Sequence, residues 1–226
     1  MTRSISLMAA IGALGLVVPV AGQAKQPSGN AGSTPSSVTA AAAPNPVVDG
    51  YSVAITGKLA AKTAAGVSVT LTAAPYPYTT FAPVANTMTD SVGVYHFAPS
   101  PKLNTEYRVM AKSKPPAISP TLLVYVRTRV AFGVSTSTPK IGARVRFTGS
   151  VTPAHNGQLV LIQRRRPNGT FVTVASTRLV RTITGAFSTY RATLRIKASG
   201  TYRVIKPHDV DHAAGFSRLR RITVHR

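Results

Sequence analysis

Metal-ligand residue types gather at one point in this chain, His208-Asp209-Val210-Asp211-His212. Imidazole and carboxylate together suit zinc, and the two carboxylates alone could help hold calcium. In an extended strand, Asp209 and Asp211 would share one face, with His208, Val210 and His212 on the other. Pro207 before the cluster and Ala213-Ala214-Gly215 after it indicate a loop instead. No third strong ligand stands nearby in sequence and cations surround the cluster, so the expectation is that no metal binds at His208, Asp209, Asp211 or His212. Catalytic patterns are equally scarce. Neither Gly-x-Ser-x-Gly, His-Glu-x-x-His nor a phosphate loop occurs. The chain has five acids, of which Asp49, Asp90 and Glu106 are far apart, and His96, His155 and His225 have no acidic neighbour along the chain. With no cysteine, thiol catalysis, disulfides and thiolate metal sites are excluded. The expectation is therefore no catalytic residue, no cofactor and no enzyme.

Arginine is the other residue type that could do chemistry here. Formal net charge is +22, and it is lopsided: from Thr128 to Arg226 there are eighteen basic residues, fifteen of them arginine, against Asp209 and Asp211. Alternation places Arg144 and Arg146 on the solvent side of a strand whose Val145 and Phe147 point inward. Arg191, Arg195 and Lys197 alternate in the same way with Tyr190, Ala192, Leu194 and Ile196. Arg164-Arg165-Arg166 and Arg218, Arg220 and Arg221 add to this charge. A guanidinium fork bonds both oxygens of a phosphate or carboxylate. The expected partner is an anionic cell-envelope polymer, such as teichoic acid or an acidic polysaccharide, or lipid head groups. The plainer reading is that exposed arginine protects strand edges from aggregation. Nucleic acid fits poorly, because the sequence offers no groove-reading helix and no aromatic platform among the arginines. Tyr76, Tyr78 and Phe81 could line a sugar-binding loop, although the chain lacks tryptophan.

The elements that must position these residues are strands. Short runs alternate apolar and polar residues with period two, separated by turn chemistry such as Asn156-Gly157, Pro167-Asn168-Gly169 and Ser199-Gly200. In the basic half, strands are expected near residues 130–136, 144–151, 158–164, 171–176, 186–196, 201–206 and 218–225. Asn168-Gly169-Thr170 reads as a hairpin turn rather than a glycan site. The pattern also repeats. Val53-Ala54-Ile55-Thr56-Gly57 is answered 92 positions later by Val145-Arg146-Phe147-Thr148-Gly149. Val67 to Leu71 is matched with Leu159 to Gln163, Gly93-Val94-Tyr95 with Gly185-Ala186-Phe187, and Thr105 to Val109 with Gly200 to Val204. Tandem copies of one unit follow, giving an all-β fold of two antiparallel sandwiches over residues 47–127 and 128–226. The proline-rich stretch Pro75 to Pro83 must be an edge or a loop. Almost no spacer separates the copies, so little hinge freedom is expected between them. Residues 1–24 read as an export signal, with Arg3 before the apolar run Ile5 to Val20 and small residues after it. Cleavage would leave no transmembrane span in the mature chain. Residues 25–46, rich in Pro, Ser and Ala, read as a disordered tether.

The order Val-x-Phe-Thr-Gly, Gly-Ala-Phe, Gly-Thr-Tyr-Arg-Val and then Asp211-His212-Ala213-Ala214-Gly215-Phe216-Ser217 resembles the tandem Ig-like repeats of secreted actinobacterial surface proteins. The second copy matches well and the first more loosely, since it lacks the Asp-His-Ala-Ala-Gly stretch. The resemblance implies Ig-like sandwiches serving as stalks, spacers or adhesion modules, and a polar loop at residues 208–212 between the last two strands. Together these readings give an exported, envelope-associated binding or structural module. A pure spacer or adhesin fragment that binds another surface protein is the alternative.

Overall fold

The computed structural model describes residues 35–226. The expected export signal and the first part of the tether lie outside the described residues. Strands β1 (Ser37–Val38), β2 (Ala41–Ala43), β3 (Val47–Val48), β4 (Ala54–Ala60), β5 (Ser68–Pro75) and β6 (Ala82–Met88) open the first sandwich. β7 (Val94–Phe97), β8 (Thr105–Ala111), β9 (Ala117–Ile118), β10 (Leu122–Val124) and β11 (Val126–Arg127) complete it. One sheet places β1 and β2 on one edge of β4 and β7 on the other; the second runs β10-β8-β5-β6, with β9 also on β8. Val53, Ile55, Leu59, Val69, Leu71 and Val109 are fully buried between them. The tether was expected to reach Pro46, yet Ser37 to Ala43 pairs with β4 and Val38 joins the core. Small side chains hid this strand, because four alanines carry little apolar signal but leave the backbone free to pair. As expected, residues 76–81 form a loop leading into the edge strand β6.

The second sandwich repeats the plan with β12 (Arg129–Val130), β13 (Gly133–Val134), β14 (Arg144–Thr152), β15 (Leu159–Arg165) and β16 (Phe171–Arg178). β17 (Val180–Arg181), β18 (Ser188–Arg195), β19 (Gly200–Lys206), β20 (Gly215–Phe216) and β21 (Arg220–Ile222) follow. Here β12 and β13 flank β14, which pairs with β18 and through it β17, opposite a sheet ordered β16-β15-β19 with β20 and β21 on β19. A separate core forms around Phe147, Val160, Ile162, Tyr202, Val204 and Ile222. Among the described residues there is no helix, and so none long and apolar enough to cross a membrane.

Two devices recur in both sandwiches and confirm the duplication. Gly57 pairs with Tyr95 across β4 and β7, and Gly149 pairs with Tyr190 across β14 and β18. Each tyrosine hydroxyl crosses the bare glycine and donates to a carbonyl in the link between two edge strands, Thr39 between β1 and β2 in one case and Ala131 between β12 and β13 in the other. Only glycine permits this approach, because a Cβ at either position would overlap both that carbonyl and the ring. Likewise the Ser119 hydroxyl accepts from the Val109 amide, as the Ser217 hydroxyl accepts from Val204.

These equivalences correct two of the sequence pairings. Tyr190, not Phe187, is the counterpart of Tyr95. Buried Val69 and Leu71 correspond to Val160 and Ile162, with the same register shift after Leu71 and after Ile162. The pairing with Leu161 and Gln163 is therefore one residue out, which would have turned the strand inside out.

Candidate functional site

Antiparallel register sorts the basic side chains onto different surfaces. On β14 and β18, Val145, Phe147 and Tyr190 point into the core, so Arg144, Arg146, Arg191 and Arg195 stand on the outer face, all exposed. Arg144 lies directly opposite Arg195, while Arg146 and Arg191 pair with Thr193 and Thr148. The result is a ladder of four guanidinium groups. Among the described residues no arginine forms an ion pair with a carboxylate, and none of these four side chains donates a hydrogen bond to another residue. The remaining arginines expected to join them do not. Arg165 and Arg221 lie on the outer face of the opposite sheet, with Arg166 at the adjoining turn. Arg164 folds over the strand end and donates to the Ser199 carbonyl at 2.7 Å. Arg220 donates to the Phe132 carbonyl at 2.9 Å. Lys197 is exposed beyond the end of β18 and Arg218 between β20 and β21.

Asp209, Asp211 and His212 do converge, but with His155 rather than His208. The loop between β19 and β20 carries the first three, and the loop after β14 brings in His155. One nitrogen or carboxylate oxygen from each of the four lies within 4.8 Å of the others. His155 is nearly buried; its Nδ1 donates to the Pro153 carbonyl at 2.8 Å and its Nε2 stands 3.3 Å from Asp209 Oδ2 and 4.0 Å from Asp211 Oδ1. His212, also buried, places Nε2 2.9 Å from the Lys102 carbonyl and Nδ1 3.0 Å from Asp211 Oδ1. The fully buried Lys206 ammonium pairs with Asp209 Oδ2, and Asp209 Oδ1 accepts from the His212 amide.

Burial pushes the Asp209 carboxyl up, but the hydrogen bonds and charge of Lys206, with help from Asp211 and Gln158, outweigh it. The carboxyl is held well below the ordinary carboxylate range. For His155, burial dominates and lowers its pKa, against the opposing pull of the Pro153 carbonyl and Asp209. His208 is exposed and outside the cluster. No sequence pattern pointed to His155, because it meets the aspartates across more than fifty residues and through tertiary packing.

This cluster sits where the two sandwiches meet. Lys102, whose carbonyl faces His212, belongs to the first sandwich. The Asn104 amide donates to the Asp211 carbonyl, and the Ala213 amide to the Val126 carbonyl, both at 2.8 Å. A cleft of about 410 Å³ opens onto the cluster, lined by Leu103, Pro153, Asn156, His155, Asp211 and His212. Elsewhere, Phe81 forms part of an apolar groove of about 650 Å³ with Pro83, Met110 and Ile118. Arg108 stacks 4.0 Å over its ring. Tyr76 and Tyr78 pack on each other outside that groove, so the three aromatics do not form the single platform a sugar would need.

No protein-family model and no curated protein matches the chain. Among solved structures it is similar to a tetra-tandem repeat from the extending region of a large adhesion protein. That likeness has a TM-score of 0.35 and 11% identity, over 84% of this chain and 50% of that one. It is also similar to red sea bream transglutaminase, with a TM-score of 0.42 and 8% identity, over 84% of this chain and 31% of that one. The chain thus spans half or less of each. The expectation that it is not an enzyme is overturned. It rested on scattered acids and on His155 lacking an acidic neighbour, whereas two histidines and two aspartates meet in one cluster.

Proposed function

We propose that the chain is an exported, envelope-associated surface module of Ig-like type whose second sandwich binds anionic polymers through the outer face of β14 and β18. The observation that carries this reading is the set of four exposed arginines on one sheet face, two of them directly opposed, with no carboxylate among them. Like charges held side by side cost stability, and a fold that keeps them gains where an anion bridges them. Flat, sequence-independent contact of this kind suits a repeating phosphate or carboxylate better than a compact ligand, and salt screens it. The face on β15 and β19 is less suited, because Arg203 there is engaged with Gln163 and stacked 3.7 Å over Phe171.

The test compares two variants for binding to teichoic acid and heparin at physiological salt. One replaces Arg144, Arg146, Arg191 and Arg195 with Ser; the other replaces Arg165, Arg166 and Arg221. Loss of binding in the first and retention in the second is the expected result. Equal binding by wild type and the first variant would overturn it.

A further inference from the structure

The four-residue cluster at the junction contains more acceptors than donors. Each imidazole has an oxygen in reach of both ring nitrogens: Pro153 O and the aspartate carboxylates for His155, Lys102 O and Asp211 Oδ1 for His212. A neutral imidazole has one N–H and one lone pair. If each ring is neutral and gives its N–H to the backbone carbonyl, which can only accept, then His155 Nε2 and His212 Nδ1 face the carboxylate oxygens as lone pairs. Those oxygens carry lone pairs too. Lys206 relieves one of them, Asp209 Oδ2, and Asp209 Oδ1 is taken by the His212 amide. Asp211 Oδ1 and the two nitrogens receive nothing from Lys206.

We infer that His155 Nε2, His212 Nδ1 and the carboxylates of Asp211 and Asp209 form a binding site for a divalent first-row metal ion of the zinc class, at the joint between the two sandwiches. Two nitrogen donors favour such an ion over calcium or magnesium, which prefer all-oxygen sites. Geometry is close to what is needed. Ligands about 2.0–2.2 Å from one zinc ion lie roughly 3.4 Å apart, and one ligand atom from each of the four residues already lies within 4.8 Å of the others. Each ring is fixed from behind by a backbone carbonyl, the outer-shell arrangement that orients metal-binding histidines. The cleft beside Asp211, which is about one-third exposed, gives the ion a way in.

Position gives the site a consequence. All four ligands belong to the second sandwich, but the carbonyl that orients His212 is supplied by Lys102 of the first. A bound ion would fix the His212 ring against that carbonyl, and with it the neighbouring contacts of Asn104 and Ala213, so metal occupancy stiffens the joint. Lys206 makes Asp209 the weakest of the four ligands and keeps its carboxylate in place when the ion is absent.

The experiment uses the full chain, stripped with chelator and titrated with zinc chloride by calorimetry. Cobalt substitution follows, to look for the strong visible absorption of a tetrahedral ion. One ion per chain and a higher melting temperature are expected. His155→Gln and Asp211→Asn should each weaken binding by more than the roughly 100-fold seen when only an outer-shell partner is removed, and His208→Ala should leave it unchanged. Asp211→Asn is isosteric at a partly exposed position, so it reports on the site even if the buried His155→Gln change perturbs folding. Absence of zinc binding by the folded wild-type chain would overturn the proposal. So would binding that survives Asp211→Asn, or that is lost in His208→Ala and thus belongs to surface histidines.

Discussion

Replacing Arg195 with Glu should stabilise the second sandwich while weakening its grip on anions. Arg195 sits directly opposite Arg144 in the β14–β18 register, with Arg146 diagonal to it. Directly opposed side chains place their Cβ atoms about 5 Å apart, and a like-charge pair there is destabilising where an opposite pair stabilises by about 0.2–1 kcal/mol. Both side chains are exposed, so the smaller values apply to each half of the exchange. The gain on going from repulsion to attraction is then about 0.5 kcal/mol at low salt. For a sandwich of this size that raises the melting temperature by roughly 2–4 °C. Screening decides whether the cause is electrostatic, because the Debye length falls from about 10 Å at 0.1 M salt to about 3 Å at 1 M. Thermal unfolding of wild type, Arg195→Gln and Arg195→Glu at both salt concentrations separates relief of repulsion from new attraction. The order Glu above Gln above Arg is expected at low salt, nearly collapsing in 1 M salt. A glutamate variant no more stable than wild type at low salt, or a gain undiminished by salt, would refute the reasoning. A residue that costs stability where it stands points to a contact that repays it.

The two tyrosine–glycine devices predict matching effects in the two sandwiches. Tyr95→Phe and Tyr190→Phe should each cost about 1 kcal/mol in chemical denaturation, and Gly149→Ala about 3 kcal/mol, since its Cβ would meet a backbone carbonyl that cannot swing away. Removing the buried Lys206 ammonium as Lys206→Met should cost about 3 kcal/mol by leaving Asp209 without its cation, and adding Asp209→Asn in the same chain should recover part of that loss. Alkaline stability follows the buried phenols. Burial pushes Tyr95 and Tyr107 up to about 12, whereas unfolded tyrosine titrates near ~10. Below about pH 10 both states keep the proton; above it the unfolded chain ionises first, so this stability is progressively lost as pH rises through about 12. Unfolding free energy measured between pH 9 and 12 should fall over that window, roughly together with the appearance of phenolate absorbance.

Much of the fold is legible in the sequence because strand periodicity is local. The alternation in Arg144 to Val151 and in Tyr190 to Ile196 fixes which side chains face out, and β14 and β18 present them so. Register between the copies is less legible. The loops differ in length, so the offset is 92 at β4 and β14, 91 at β5 and β15, and 95 at β7 and β18. A single alignment offset therefore misplaces Val69 and Tyr95. The strand Ala41–Ala43 is silent because alanine marks neither turn nor core. The arginines could be read as exposed but not as divided between two faces, since that depends on which strands share a sheet. The junction cluster was half visible: Asp209, Asp211 and His212 are neighbours in sequence, whereas His155 is delivered by the turn at Asn156-Gly157, and Lys206 and the Lys102 carbonyl arrive from other strands and loops. Sites assembled across such distances leave no spacing to read.

The central claim, that the β14–β18 face binds anionic polymers, is tested most directly by the salt dependence of binding. A fluorescent anionic polymer such as heparin or DNA is titrated with residues 35–226 at several salt concentrations, for wild type and for the variant with Arg144, Arg146, Arg191 and Arg195 replaced by Ser. Each cation that displaces a counterion from duplex DNA contributes about 0.9 to the slope of log affinity against log salt. The account predicts a steep wild-type slope that becomes shallower by roughly 3 to 4 in the variant. Equal slopes for the two proteins, or no binding by wild type at physiological salt, would contradict it.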